Sequence, residues 1–291
     1  MPRPSSPPFR RQELALLAVT MFWGGTFPII HYTLTVCGPF FFVGCRFTFA
    51  ALALGVCFRK ALRDAAPYDV FAGICIGVTA FLGYFLQTYG LQTISSSRSA
   101  FLTALYVPLV PIMQWLFLRR PPLLMNWIGV LSAFAGLLLM AGPGNAGDLP
   151  GRGDVATLCC AVVFAGEIIV IGFFAGRVQL QCVTFTQLLT AGLLSFLLLP
   201  FADESIPAAH LSQALALAAG LGLATALIQL TMNWAQRSVS PTRATLIYAS
   251  EPVWGGLFGR LTGDRLPLPA LLGAACIVAG VLISGKERKR E

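Results

Sequence analysis

The segments SSRSAFLTALYVP (residues 96–108) and SPTRATLIYASEP (residues 240–252) decide how this chain folds, because they are two copies of one pattern. A shift of 144 residues superposes them, with serine, alanine, leucine and proline at matching positions. Continued without a gap, the same shift pairs Gly129 with Gly273 and Gly136 with Gly280. Glycine and proline matches inside apolar segments carry more weight than leucine or alanine matches, which an apolar composition produces by chance. We therefore predict an internal duplication, with residues 1–144 as the first repeat and residues 145–291 as the second.

The composition of the chain excludes a soluble protein. Of its 291 residues, 56% are apolar and 11% are charged, and the mean hydropathy is +0.76. Soluble domains carry about 25% charged residues. The net charge of +8 comes from short basic clusters between apolar runs, which is typical of a membrane protein and not of a nucleic-acid-binding module. We therefore expect a polytopic protein in contact with the lipid bilayer and with no nucleic acid partner.

Ten apolar segments are long enough to cross the bilayer as helices, for which about 20 residues each are needed. The predicted fold is an all-α membrane protein with five spans in each repeat. Because five is an odd number, the second repeat enters the membrane inverted relative to the first, as in many secondary transporters with a central site. The predicted spans cover residues 12–32, 38–58, 68–91, 96–118, 124–141, 153–174, 183–200, 210–235, 240–259 and 267–285.

Lysine and arginine are unequally distributed between the two sides of the predicted membrane. With the N-terminus inside, fifteen of them lie in cytoplasmic segments, whereas Arg98, Arg152, Arg260 and Arg265 lie on the opposite side. Positive residues concentrate on the cytoplasmic side of membrane proteins. Both termini are therefore predicted to be cytoplasmic.

The sequence contains no motif for a cofactor, a metal ion or a nucleotide. The eight cysteines form no C-x-x-C pair, the two histidines have no partner at metal-ligand spacing, and no G-x-x-x-x-G-K-[ST] loop occurs. We expect no cofactor and no metal, and an integral membrane enzyme is disfavoured because no cluster of His, Asp, Cys or Glu is present. A channel is disfavoured because nothing resembles a ring of like charges or a repeated filter loop.

Three charged residues lie near the middle of predicted spans, where a charge is costly and therefore indicates function. Glu167 lies in the sixth span, Glu251 in the ninth, and Arg46 in the second. One hypothesis is that at least one glutamate lines a cavity, where it holds a cationic or amino group or carries a coupling proton. The other is that Arg46 forms a buried pair with a glutamate and has a structural role.

Prolines interrupt the fourth and ninth spans at matching positions. Pro108 and Pro252 lack an amide donor and free the carbonyl groups four residues back, which belong to Ala104 and Tyr248. We expect a kinked helix with hinge function at each position. An ordinary kink without a ligand is the alternative.

A polar stripe in the eighth span predicts one wall of the cavity. Thr225, Gln229, Asn233 and Gln236 follow one another at spacings of four, four and three residues, which places them on one face of a helix. Such a stripe faces protein or a wet cavity and not lipid, so interhelical hydrogen bonding is the alternative to substrate contact. We propose Gln229 and Asn233 as polar contacts of a substrate. The proposed aromatic contacts are Trp23, Tyr84, Tyr106 and Tyr248.

The chain resembles the EamA family of the drug/metabolite transporter superfamily. The resemblance rests on the run from Trp23 to Phe27 in the first span, Arg46-Phe47 in the second, the serine-rich start of the fourth and the duplication. In size the chain is similar to amino-acid exporters of the YddG type. It departs from the family pattern in the second repeat, which has Gly166-Glu167 where the first repeat has its Trp-Gly pair.

This resemblance implies a basket of ten helices, with the fifth of each repeat at the periphery and the other eight around a central cavity. It implies a secondary transporter that exports amino acids, including aromatic or other neutral ones, or related small metabolites by alternating access without ATP. Exporters of organic cations or drugs are the alternative. The expected location is the bacterial inner membrane, and the expected state is a monomer or a weak homo-oligomer.

Overall fold

The computed structural model describes residues 11–141, 151–202, 204, 210–261 and 268–285. Within these ranges the chain is helical, with no β-strand, so the prediction of an all-helical protein is confirmed. Seven described stretches are long and apolar enough to cross a membrane, and two shorter apolar helices accompany them. The helices are α1 (Arg11–Thr33), α2 (Pro39–Cys57), α3 (Arg59–Leu62), α4 (Pro67–Gly90), α5 (Ser96–Thr103), α6 (Tyr106–Leu118), α7 (Leu124–Ala141), α8 (Arg152–Phe174), α9 (Leu180–Leu198), α10 (Leu211–Ala235), α11 (Pro241–Tyr248), α12 (Glu251–Leu261) and α13 (Leu268–Ser284).

The fourth and ninth predicted spans are each divided into two helices, which corrects the expectation of a kink. The first break separates α5 from α6, and the second separates α11 from α12. Pro108 and Pro252 lie in the first turn of the helix after each break, where a missing N–H costs little. The sequence predicted a free carbonyl at Ala104. In the structure this carbonyl instead accepts a hydrogen bond from the Val107 amide at 3.0 Å. The duplicated prolines therefore mark duplicated helix breaks.

The helix boundaries also correct the register of the duplication. Ser95 caps α5 by accepting a hydrogen bond from the Arg98 amide, and Ser240 caps α11 by accepting one from the Arg243 amide, both at 3.3 Å. The starts of α5 and α11 are therefore 145 residues apart, whereas those of α7 and α13 are 144 apart. The gapless shift misaligned the broken helices by one residue, because matches of alanine and leucine in apolar helices do not report register.

Polar contacts near the helix termini show which ends of the helices lie together. Near the start of α11, Arg243 donates to Glu13 in the first turn of α1 and to Ser284 in the last turn of α13. At the other end of α1, the Nδ1 atom of His31 lies 3.2 Å from the carbonyl oxygen of Leu91, just after α4. Residue 13 and residue 284 therefore lie at the same end of the bundle. Of the basic residues in the two tails, on which the predicted orientation partly rests, all except Arg11 lie outside the described residues.

Helices from the two predicted repeats are interleaved. Three helices of the first predicted repeat pack against helices of the second. Helix α4 packs against α8 and α9, helix α2 against α9 and α10, and helix α1 against α10 and α12. One hydrophobic cluster accordingly combines Phe42 and Phe47 of α2 with Leu188 of α9 and Ala218 of α10. The core is thus shared between the halves, and any space at its centre is bounded by both of them.

The helices α7 and α13 pack antiparallel against each other within the monomer. A Cβ atom on Gly129 would lie 2.7 Å from the carbonyl oxygen of Gly280, and one on Gly136 would lie 2.5 Å from that of Gly273. Small residues of this kind let helix backbones approach closely in membranes. The four glycines that first indicated the duplication therefore form one contact between the halves.

Candidate functional site

A cavity of about 530 Å³, its opening included, lies between helices of both halves. Its walls come from α1, α2, α4, α5, α6, α8, α10, α11 and α12. Aromatic and apolar side chains are combined with a few charged and amide groups, which is the usual composition of a small-molecule site. Seven residues that the sequence analysis proposed as substrate contacts line it: Trp23, Tyr84, Tyr106, Glu167, Gln229, Tyr248 and Glu251.

Both helix breaks open onto this cavity. Thr103 ends α5 and Tyr106 begins α6, while Tyr248 and Glu251 hold the corresponding positions at the second break. All four residues line the cavity. The breaks therefore bring two equivalent pairs of positions to one space, and the side chains at these positions differ between the repeats.

Glu167 on α8 is 3% exposed and is held by amides from two other helices. Its Oε1 atom accepts hydrogen bonds from Gln229 Nε2 at 3.3 Å and from Gln187 Nε2 at 3.4 Å. Gln187 also donates to Gln229 Oε1 at 2.9 Å. Buried polar groups are usually satisfied in this way. The network joins α8, α9 and α10 and fixes the carboxylate at the cavity wall.

Asn233 does not line this cavity, although the sequence analysis proposed it as a substrate contact. Its Nδ2 atom donates to Gln187 Oε1 at 2.8 Å and to Thr184 Oγ1 at 3.1 Å. It lines a separate, smaller pocket together with Arg237. Asn233 follows Gln229 by about one helical turn and extends the amide network towards α9. For this residue, interhelical hydrogen bonding was the better hypothesis.

Arg46 on α2 is 2% exposed and also lines the cavity. Its Nε atom donates to Thr225 Oγ1 at 2.7 Å, and its Cζ atom lies 5.1 Å from the centre of the Tyr84 ring. The hypothesis that Arg46 pairs with a glutamate is wrong, because neither Glu167 nor Glu251 has a carboxylate oxygen within 4.0 Å of its guanidinium. The guanidinium is therefore part of the cavity wall.

The helices α1 and α12 pack closely against each other at Gly24. A Cβ atom on Gly24 would lie 2.9 Å from the amide nitrogen of Gly255 and 3.0 Å from the carbonyl oxygen of Glu251, so a larger residue would separate these helices. Trp23 packs edge-on against Tyr248, with ring centroids 5.2 Å apart. The run that begins at Trp23 therefore shapes the wall in which Glu251 lies.

Some residues of the site were not proposed from the sequence. Gln87 and Thr103 line the cavity and form a hydrogen bond of 3.2 Å between Nε2 and Oγ1. Gln87 lies three residues after Tyr84, and this one-turn spacing was an available signal. Phe164 also lines the cavity, but its sequence context does not distinguish it from the core phenylalanines.

The arrangement offers binding groups to a solute. Within the described residues, no group of three or more His, Cys, Asp or Glu side chains is arranged to hold a metal ion. The eight cysteines are free thiols. The chemistry available in the cavity is therefore charge pairing, hydrogen bonding and aromatic contact with a small molecule.

The chain is similar to known transport proteins along most of its length. The sequence model of the EamA-like transporter family matches residues 11–142 and again residues 151–285. An uncharacterized transporter of Archaeoglobus fulgidus is 30% identical over 274 residues, which cover 93% of this chain and 84% of the relative. The uncharacterized transporter YvbV of Bacillus subtilis is 25% identical over 206 residues, which cover 69% of this chain and 66% of the relative. A solved crystal structure has the same fold, with a TM-score of 0.75 and 19% identity over 97% of this chain and 99% of its own.

Proposed function

The chain belongs to the EamA-like transporter family, and from this premise we propose that it is a secondary transporter that exports amino acids or related small metabolites. Its apolar helices and its relatives make it a multi-pass membrane transporter. The proposed mechanism is alternating access across the bacterial inner membrane, without ATP and without enzymatic chemistry. Neutral amino acids, aromatic ones included, are the proposed cargo.

The proposed architecture is ten membrane crossings in two inverted repeats, with both termini cytoplasmic. The seven long apolar stretches, the shorter α7 and α13, and the broken pair α11 and α12 would make up the ten. The family model matches the chain twice, and the start of α1 lies at the same end of the bundle as the end of α13, which supports an even number of crossings. The excess of lysine and arginine in the segments assigned to the cytoplasm supports the orientation.

One observation carries the proposal: both halves contribute polar groups to a single cavity bounded by apolar helices. Arg46 and Tyr84 come from the first half, and Glu167, Gln229 and Glu251 come from the second. A site bounded by two repeats is exposed to one side or the other when the repeats move against each other. A cavity bounded by both halves therefore supports the proposed alternating access.

A second candidate cargo is an organic cation. Glu251 lines the cavity without a hydrogen-bond donor among the described residues, and the rings of Trp23 and Tyr248 line the same cavity. A carboxylate beside aromatic faces suits a cationic head group. Among the charged residues of the lining, an organic cation would pair only with the acidic ones.

Counterflow in proteoliposomes tests the proposed function. Liposomes containing the purified protein are loaded with unlabelled leucine, phenylalanine or methionine, and uptake of the same labelled amino acid is followed, with protein-free liposomes as the control. We expect saturable, transient accumulation, which distinguishes a carrier from a channel. Uptake of tetraphenylphosphonium without uptake of any amino acid would favour the second candidate. No flux of either class would refute the proposal.

Reporter tags test the proposed topology. Tags inserted after Leu91 and after Gln236 are expected to lie on opposite sides of the membrane, because α4 and α10 would then run in opposite directions. The expected result is a periplasmic tag at the first position and a cytoplasmic tag at the second. Tags on the same side would contradict inverted repeats.

A further inference from the structure

Both ion pairs between described residues join one half of the chain to the other. Arg243 of α11 pairs with Glu13 of α1. Arg98 of α5 pairs with Asp154 of α8. In each pair the arginine is the third residue of the short helix before a break, and the carboxylate belongs to the third residue of the first long helix of the other half. The two pairs are therefore equivalent contacts, related by the duplication.

The two ion pairs lie at opposite ends of the bundle. Glu13 is in the first turn of α1, and His31 is in its last turn. The 23 residues of α1 span about 35 Å, slightly more than the apolar core of a bilayer. His31 contacts the carbonyl group of Leu91, which comes shortly before the start of α5 and Arg98. The two pairs are thus separated by about the thickness of a membrane.

Each pair holds the outer end of a short helix whose inner end reaches the cavity. Helix α11 runs from Arg243 in its first turn to Tyr248 at the cavity, and α5 runs from Arg98 to Thr103 at the cavity. Eight residues of helix span about 12 Å, so each short helix lies between the cavity and one end of the bundle. Because α11 packs against α1 and α5 packs against α8, any separation of the halves at one end has to separate the ion pair there.

The two contacts differ in how deeply they are buried. All eight residues of α11 are buried, and Gln114 of α6 accepts hydrogen bonds from the amide and the hydroxyl group of Thr242. The Arg243 side chain is 9% exposed. The Arg98 side chain, in contrast, is 41% exposed, and Phe101 of α5 is only half-buried. An exposed ion pair contributes little and is screened by salt, whereas loss of a buried pair costs more. The end at Arg98 should therefore open more readily.

We propose that these two ion pairs are latches, and that each has to separate before the cavity opens at its end. The inference rests on the proposed alternating access of the two repeats. In the proposed orientation, the Arg243 latch closes the cytoplasmic side and the Arg98 latch closes the periplasmic side. Because the cytoplasmic latch is the stronger one, the resting carrier favours states that are closed to the cytoplasm. Repeats that move against each other open one end as they close the other, so a weakened latch protects the opposite end.

Hydrogen–deuterium exchange of the purified protein, measured by mass spectrometry, follows both latches without a known cargo. Peptides that cover α5 and α11 report how often each short helix becomes exposed. Glu13→Gln should speed exchange in α11 at least about 10-fold and slow it in α5, because the halves then favour the opposite state. Asp154→Asn should speed exchange in α5 about 5-fold or less and slow it in α11. Opposite changes at the two ends distinguish a latch from a structural contact, whose loss would loosen its own end only.

Salt and a charge-matched variant are the controls. A rise of the sodium chloride concentration from about 20 mM to about 1 M screens exposed charges, so in the wild type it should have the same effect as Asp154→Asn. Asp64→Asn makes the same change of charge at the same end as Glu13→Gln, but at an exposed residue between α3 and α4. It should leave the exchange of α5 and α11 as in the wild type.

Three results would overturn the latches or the function on which they rest. Faster exchange at both ends in Glu13→Gln indicates a general loss of stability and refutes the latch at Arg243. Unchanged exchange in α11 when salt or Asp154→Asn loosens α5 refutes the coupling of the two latches, and this comparison stands even where Glu13→Gln does not fold. Opposite changes in exchange without counterflow of any cargo keep the latches and refute the transport function, whereas counterflow without opposite changes does the reverse.

Discussion

Replacement of Arg243 by glutamine is expected to destabilise the protein much more than the same replacement of Arg98. The two arginines are equivalent, because each lies three residues after the serine that caps α11 or α5. Arg243 pairs with Glu13 at 2.9 Å, and the two side chains are 9% and 2% exposed. Arg98 pairs with Asp154, but the arginine side chain is 41% exposed. The two variants therefore differ in how deeply the replaced arginine is buried, whereas the substitution and the position relative to the capping serine are the same.

The difference in burial sets the expected magnitude. Removal of one partner of a buried ion pair costs about 3–5 kcal/mol, because the attraction that offsets the desolvation of the other charge is lost. Arg243 also donates to the Val281 carbonyl and the Ser284 hydroxyl, and these acceptors lose a donor as well. An exposed pair contributes about 0.2–1 kcal/mol. We therefore expect Arg243→Gln to lose at least about 2 kcal/mol more than Arg98→Gln.

Unfolding of the purified protein by titration with sodium dodecyl sulfate, followed by circular dichroism, measures both losses. Addition of Glu13→Gln to Arg243→Gln should restore part of the stability, because it removes the buried charge that Arg243 offsets in the wild type. Losses for the two single variants within about 0.5 kcal/mol of each other, the usual resolution of such comparisons, would refute the reasoning. So would a double variant that is less stable than Arg243→Gln alone.

Three further predictions follow from single contacts. Gly136→Ala should lower the unfolding free energy by about 1–3 kcal/mol in the same titration, because its Cβ atom would lie 2.5 Å from the Gly273 carbonyl oxygen. Gly220→Ala is the control. A Cβ atom there has no atom within 4 Å, so this variant should be neutral or more stable by up to about 1 kcal/mol. Glu251→Gln should lower counterflow about 10-fold or more and change the unfolding free energy by less than about 1 kcal/mol; unchanged transport would assign the residue to packing. Tyr248→Phe should be neutral or stabilising by up to about 1 kcal/mol, because the buried hydroxyl has no hydrogen-bond partner in the described part of the chain; a loss above about 1 kcal/mol would contradict this.

The positions of the membrane helices could be predicted from the sequence because the bilayer imposes a length and a composition on each of them. The sixth predicted span, 153–174, for example, corresponds to α8 at Arg152–Phe174. For the helix breaks, the sequence could predict that the fourth and ninth spans are irregular, but not that each is divided into two helices. A proline indicates that the helix is disturbed near the residue four positions back, but whether it bends or ends there depends on the packing of the neighbouring helices. The carbonyl of Ala104 shows this, since a local turn satisfies it.

The site was predictable where a residue type was unexpected in its surroundings. Glu167, Glu251 and Arg46 are charges in apolar segments, and such charges require an explanation in terms of function or pairing. Their mutual distances could not be predicted, because they depend on how three helices from two repeats pack. The hypothesis that Arg46 pairs with a glutamate, one of the two left open by the sequence, failed for this reason. Phe164 was not predictable at all, since a phenylalanine facing a cavity and one facing the core have the same pattern.

The backbone breaks at corresponding positions in the two halves of the chain, whereas the side chains at these positions differ. Thr103 and Tyr248 are equivalent, as are Tyr106 and Glu251, and all four line the cavity at the helix breaks. In the proposed inverted arrangement, similar backbones would allow states of similar energy that open to either side. A lining with two-fold symmetry would present the same groups to both ends of a solute, whereas an amino acid, the proposed cargo, has different ends. We therefore expect substitutions at Tyr106 or Glu251 to change which solute is carried, and substitutions at the capping serines to change how readily the repeats move.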